Sequence, residues 1–399
     1  MWKPITIAAL MVLSAGGAAA QEAEPTTREQ AIEQTQAEKD KVLHPVVPSK
    51  AEYWLDKAES ILSDGMRWHP FFENAYAGGG FTLGAGYAFY LGSYSFLDVR
   101  GSYTITGYKR IEAEYIAPRL FNRRGKLSLL GGWRDATQVG FYGIGGDTTD
   151  NAPTNYRFTQ PYGSALLTVR PTRRVLVLQG GAEYSQWTQK HGEGTDPSVE
   201  EVYTPQTLPG LGAKVTYLHS QGTVGLDWLA PAPDYARRGT YLGVTGHDYH
   251  DTDKNFGFQQ VNYEAIQHIP ILREAWVISL HGKVQTAFNK SGQEIPFFML
   301  PSVGGGSSLR GFSSWRFRDN NSLLLQAEWR IMVNRFLDAA FFYDAGKVTE
   351  RTKDLDFNHL RDDYGFGLRF HSPFATPLRV ELAKSNEGLS IVFASSAAF

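Results

Sequence analysis

From about residue 76 to residue 399 the chain alternates apolar and polar residues with a period of two. Ile111, Ala113, Tyr115 and Ala117 alternate with Glu112, Glu114 and Ile116. Trp276, Ile278, Leu280, Val284 and Phe288 alternate with Ser279, His281, Lys283 and Gln285. Leu323, Leu325, Ala327, Trp329, Ile331 and Val333 alternate with Gln326, Glu328 and Arg330. After residue 20 no run approaches the roughly 18 apolar residues that a spanning helix needs. The pattern predicts an all-β chain. In a soluble β-sandwich the apolar stripe packs inward; in a membrane barrel it faces lipid and leaves charges to the lumen.

The two ends of the sequence favour the barrel. Met1-Trp2-Lys3 opens a short apolar run, Ile5 to Ser14, followed by Ala18-Ala19-Ala20 and the polar Gln21. One positive charge, an apolar stretch too short to span and small residues before a break predict a secretory signal peptide over 1–20. The chain contains no cysteine, which removes a lipidated cysteine, disulfides, thiolate metal sites and thiol nucleophiles. It ends in Phe399, and a C-terminal strand finishing in an aromatic resembles the targeting signal of outer-membrane barrels. The chain is also rich in Gly (41), Tyr (20) and Phe (24) while its mean hydropathy is negative. If such a chain crosses a membrane, only a closed barrel satisfies every backbone hydrogen bond.

Residues 21–49, rich in Glu, Gln, Lys, Thr and Pro, are expected to be a disordered periplasmic segment. In 50–66, Trp54, Leu55, Ala58, Ile61 and Leu62 recur at helical spacing, which predicts a short amphipathic periplasmic helix. That helix could lie on the inner leaflet, plug the barrel mouth or dock a periplasmic partner through residues 50–63. Strands are expected near 76–90, 95–105, 108–120, 125–138, 155–170, 174–188, 213–229, 239–250, 256–270, 273–288, 295–304, 321–333, 337–348, 362–371, 377–384 and 388–399. These make sixteen, the even number that an antiparallel single-chain barrel over 76–399 requires.

One segment narrows the reading further. Gly304-Gly305-Gly306 precedes Ser307-Ser308-Leu309-Arg310-Gly311-Phe312. Three glycines permit backbone angles that other residues avoid. The pattern resembles the sixth-loop signature of the bacterial surface antigen superfamily, the BamA/TamA and two-partner secretion transporter group. There a glycine pair is followed, after a spacer, by Arg-Gly-Tyr or Arg-Gly-Phe. The resemblance implies a loop, 304–320, that folds into the lumen and pairs Arg310 with acids on the next two strands. Glu328 lies on the first, and Phe342-Tyr343-Asp344-Ala345-Gly346 on the second resembles the family's Phe-x-Asp-x-Gly. Alternation gives an independent reason to turn both acids inward: Leu325, Ala327 and Trp329 would face lipid, as would Phe341, Tyr343 and Ala345. Gly365 and Gly367 would also face inward, making room for the loop. The alternative is a solvated outer-loop Arg310 with ordinary lumen charges at Glu328 and Asp344.

The resemblance covers residues 295–399. Family members that fold or export proteins carry polypeptide-transport-associated modules before the barrel, and none fits in residues 21–75. The expectation is therefore a barrel-only branch in the outer membrane of a Gram-negative bacterium, acting in polypeptide or lipid transport or assembly. The alternative is a passive pore or structural barrel. Gly78, Gly80, Gly84 and Gly86 could weaken the first strand for lateral opening or let another segment sit close. The expected partners are outer-membrane lipids, lipopolysaccharide and the assembly machinery. A net charge of −2 carries no nucleic-acid footprint.

No enzymatic activity, cofactor or metal is expected. The ten His are scattered and no Gly-x-Ser-x-Gly elbow appears. His247 and His250, with Asp248 and Asp251 beside them, are three apart on an expected strand and point to opposite faces. Arg123-Arg124, Arg173-Arg174 and Arg237-Arg238 fall at strand ends, beside lipid head groups, and Trp and Tyr belts supply interfacial anchors.

Overall fold

A computed structural model of the chain describes residues 32, 67–172, 175–230, 235–371, 376, 378–395 and 398–399. The chain divides into two compact units, Met1–Ala58 and Glu59–Phe399, and every described residue except Ile32 belongs to the second. The expected leader, the polar segment 21–49 (apart from Ile32, a helical residue) and the helix 50–66 lie outside the described residues.

The second unit is one long antiparallel meander. Its strands are β1 (Trp68–Pro70), β2 (Thr82–Leu91), β3 (Ser95–Thr104), β4 (Lys109–Arg119), β5 (Gly125–Phe141), β6 (Thr154–Val169), β7 (Leu176–His191), β8 (Lys214–Asp227), β9 (Gly239–Asp251), β10 (Phe258–Ile271), β11 (Trp276–Asn289), β12 (Ser302–Val303), β13 (Phe317–Arg318), β14 (Asn321–Asn334), β15 (Leu337–Thr349), β16 (Arg361–Phe370), β17 (Leu378–Ser385) and β18 (Gly388–Ala394). Sixteen of them form one sheet in chain order, and β12 with β13 make a separate two-residue ribbon. No described helix is long and apolar enough to cross a membrane.

The meander has two rims. The C terminus shares one rim, here the terminal rim, with the tight turns after β2, β4 and β10. The other, the loop rim, carries the long connections 142–153, 192–213, 290–320 and 350–360. Between the rims alternation sorts side chains by chemistry. Leu242, Val244, Ile278, Leu280, Trp329, Phe341, Tyr364, Phe366, Ile391 and Phe393 are exposed on the outer face, the last three at 53, 60 and 59%. So large an exposed apolar surface is a lipid or partner face rather than a soluble one. The opposite face covers a core in which Phe141, Tyr156, Phe158, Trp187, Tyr217 and Phe258 pack around Phe297 and Phe298 of the long connection.

Three strand expectations change. The segment 295–304 is not a wall strand; Phe297–Met299 is a single 3₁₀ turn and only Ser302–Val303 pairs, within the loop. Pro296 and Pro301 lack the amide a ladder needs, and the run between them is uniformly apolar rather than alternating. The sixteenth wall strand is instead β1, whose Trp68–Pro70 pairs with Tyr87–Ala85. The last strand ends at Ala394, and the Phe399 ring lies 5.0 Å from that of His281, on the inner face of β11.

Closure is the fourth difference. Among the described residues no ladder joins β18 to β1 or β2. β1 has three residues and β18 seven, against seventeen in β5, so little backbone is available there for pairing. The glycines expected on strand one fall in two places. Gly84 and Gly86 lie in β2, where a side chain would strike the Phe71 carbonyl and the His69 ring. They let the β1 segment sit close; Gly78 and Gly80 precede the strand.

Candidate functional site: the loop seated in the lumen

The connection between β11 and β14 turns back among the wall strands. Gly304 and Gly305 have φ of +123° and +97°, and a Cβ on Gly304 would meet the Ser313 carbonyl oxygen at 2.5 Å. Only glycine makes that bend without strain. Gly306 packs instead against Val392 of β18, where a Cβ would come within 2.6 Å of the valine side chain. The bend delivers Arg310, fully buried, to the inner faces of β14, β15 and β17.

Every nitrogen of its guanidinium donates to a carboxylate. Nε and Nη2 donate to the two Asp344 oxygens at 2.6 and 2.7 Å, a fork-to-fork pair. Nη1 donates to Glu328 at 3.0 Å and to Glu381 at 3.1 Å. The Phe342 ring lies 3.5 Å from the guanidinium carbon, a cation–π contact. Arg369 bridges Glu328 and Glu381, the latter at 2.6 Å. Arg379 donates to the second Glu381 oxygen at 2.7 Å and to the Gly306 carbonyl at 3.1 Å. Gln326 ties Asp344 to the Ser308 carbonyl, at 3.1 and 2.8 Å.

Arg330 is 3.9 Å from Glu328, and Asp363 is the register partner of Asp344 on β16. Four guanidinium groups (Arg310, Arg330, Arg369, Arg379) thus gather around Glu328, Asp344 and Glu381, with Asp363 beside them and in no ion pair with the four; all are buried. Pairing of this kind is what a low-dielectric site requires of its charges.

The structure brings Arg310, Glu328 and Asp344 together and places Gly311 and Phe312 beside them. Gly311 sits so close to Asp363 that a Cβ would lie 2.6 Å from that side chain, and its carbonyl accepts from Ser385 at 2.8 Å. Phe312 packs with Val303, Leu309, Phe317, Leu324 and Val348. Gly365 and Gly367 face inward, but what fills their space is the Phe342 ring and the Glu381 side chain rather than the loop itself. Higher up, Arg316 grips Glu387 and the Thr148 hydroxyl and carbonyl at 2.7 to 2.9 Å. The Trp315 indole donates to the Ala77 carbonyl at 2.9 Å, while the Ser390 hydroxyl donates to the Gly311 carbonyl at 3.3 Å. The loop therefore touches both ends of the sheet, just before β2 and on β18.

An Omp85 superfamily domain matches residues 90–388, well over half of the chain. The chain belongs to the Omp85 superfamily. Solved structures share the fold of this Omp85 barrel at low identity. BamA from Haemophilus ducreyi lacking POTRA domains 1–3 aligns with a TM-score of 0.58 at 18% identity, over 82% of this chain and 67% of that one. CdiB from Escherichia coli aligns with a TM-score of 0.56 at 13% identity, over 82% of this chain and 61% of that one. The chain thus spans about two thirds or less of these structures. No curated protein matches it. The surface-antigen resemblance read from the loop and the following strands agrees with this membership.

Sequence reasoning misses Glu381, Arg369, Arg379, Asp363, Gln326 and Phe342 of this Omp85 site. A signal exists. On β17 Leu378, Val380 and Leu382 alternate with Arg379, Glu381 and Ala383, which turns the charged pair inward. No group of three or more metal-ligating side chains occurs among the described residues. His247 and Asp251 share the inner face of β9, and Asp248 and His250 fall on the outer one.

Proposed function

We propose that this chain is an outer-membrane barrel that moves or assembles a polypeptide or lipid at that membrane, rather than a passive pore. One observation carries the reading: a loop locked into the lumen also contacts the connection into β2 and the edge strand β18 of a sheet whose first and last strands share no ladder among the described residues. In lipid an unpaired strand edge is costly, so β18 pairs with the start of the sheet when the barrel rests in the bilayer. That seam is held by few hydrogen bonds, since β1 and β18 are short. β17 and β18, of eight and seven residues, also fall below the roughly 9–11 residues a strand needs to span, so the bilayer is thinned beside the seam. A weak seam next to thin lipid suits lateral transfer of an amphipathic client.

In this reading Arg310, Glu328 and Asp344 form a structural lock, Phe399 is read during assembly, the terminal rim faces the periplasm, and lipopolysaccharide and phospholipids surround the wall. A photoreactive residue in place of Leu389, on the exposed outer face of β18, tests it in the native outer membrane. Adducts with a polypeptide or lipid client are expected. A steady, large single-channel conductance without adducts would establish the pore instead.

A further inference from the structure

Glu328, Asp344 and Glu381 of the lock lie midway along β14, β15 and β17. A second group of buried polar side chains lies toward the terminal rim. Shortly before β9, Tyr235, Ala236 and Arg237 are 7, 2 and 2% exposed. Arg237 donates to Asp338 on β15 at 2.5 Å, to the Tyr235 hydroxyl at 2.9 Å and to the Glu274 carbonyl at 2.7 Å. The Tyr235 ring stacks on His371 with centroids 4.1 Å apart, and His371 Nε2 lies 3.2 Å from both the Tyr235 hydroxyl and Asp338. In the sheet β9 and β15 are separated by β10, β11 and β14. Four strand spacings amount to about 19 Å along the wall, more than a side chain spans, so residues 235–237 must reach across beneath the lumen to make these bonds.

The layer continues. The Ala236 carbonyl accepts from Arg330 Nη2 at 2.6 Å, and the same nitrogen lies 3.2 Å from His268 Nδ1. The Phe399 ring stacks over His268 and His281, with centroids 6.1 and 5.0 Å away. Above it a cavity of about 490 Å³ separates Phe399 from Met299, Pro301 and Trp315 of the inserted loop, with Gln285 in its wall.

We propose that Tyr235, Ala236, Arg237 and Phe399 form a releasable floor under this chamber, so that the lumen is closed from the terminal rim as well as by the loop. The floor shares Arg330 with the charged network but is held by its own bonds to Asp338, His371 and Glu274. Release requires that residues 235–237 and Phe399 leave these contacts; no strand has to move.

The chain has no cysteine, so a thiol introduced by Gln285→Cys reports on the chamber alone. The full-length protein in detergent is treated with a bulky water-soluble maleimide. Slow labelling is expected, rising at least about tenfold on adding Tyr235→Ala or Arg237→Ala. Heat-modifiable gel mobility identifies which variants remain folded, and Tyr235→Ala keeps every charge in place. Rapid labelling of the otherwise unaltered protein overturns the proposal by itself, as does an unchanged rate in a folded floor variant. Neither result bears on the transport reading, which depends on the seam.

Discussion

Arg310 in the inserted loop and Asp344 on β15 meet as a bidentate pair, 2.6 and 2.7 Å long, with no solvent access to either side chain. Removing one partner of a buried pair leaves an uncompensated charge, which costs about 3–5 kcal/mol. Arg310→Ala is therefore expected to lower the temperature of the gel-mobility shift and to expose the loop to trypsin. Arg310→Lys should fall between, because an ammonium cannot satisfy a fork of two oxygens. Wild-type mobility and protease resistance in Arg310→Ala would remove the lock.

Glu381 touches three guanidinium groups, those of Arg310, Arg369 and Arg379, whereas Glu328 makes close contacts with Arg310 and Arg369. Glu381→Gln should destabilise the barrel at least as much as Glu328→Gln. The double variant with Arg310→Ala should be less damaging than the sum, with a coupling of roughly 0.5–3 kcal/mol. Urea unfolding from vesicles measures both. Strict additivity would mean that Glu381 and Arg310 act independently.

Gly365 has no room for a methyl group: the added carbon would collide with the Leu382 carbonyl and lie 2.5 Å from the Phe342 ring. Gly365→Ala must push that ring toward Arg310, an overpacking cost of about 1–3 kcal/mol. Gly246→Ala is the control, since nothing lies within 4 Å of its added carbon. Equal unfolding midpoints for the two variants would show that the Phe342 contact does not matter.

Phe297 is fully buried and makes edge-to-face contacts with Phe141 and Tyr156 at 5.1 and 4.9 Å. Phe297→Ala should cost about 3–5 kcal/mol if the cavity stays open. Because the residue belongs to the loop and not the wall, new proteolytic cuts are expected within 290–320 while the strands stay protected. Cuts in the wall strands would place Phe297 in the folding core of the sheet.

The parts of the site differ in how legible they are from sequence. Glu328 and Asp344 turn inward because their neighbours on either side face out, a local rule that needs no fold. Glu381 obeys the same rule, yet it sits 71 residues from Arg310, and nothing local says that β17 curls round to meet the loop. The run 295–304 reads as a strand because apolar content alone does not separate a lipid-facing stripe from a buried plug. Its two prolines carry the distinction.

Period-two alternation, together with the absence of any long apolar run, determined by itself that this chain is a many-stranded antiparallel sheet with charges on one face, because side-chain direction in a strand is set by parity. The glycine triplet and Arg310 likewise marked the loop that bends. Only the tertiary structure decided which charges meet, that Phe399 turns inward, and that Arg237 and Tyr235 reach Asp338 and His371. Those contacts join residues far apart in sequence, and their geometry depends on how a long sheet curves, which no local pattern encodes.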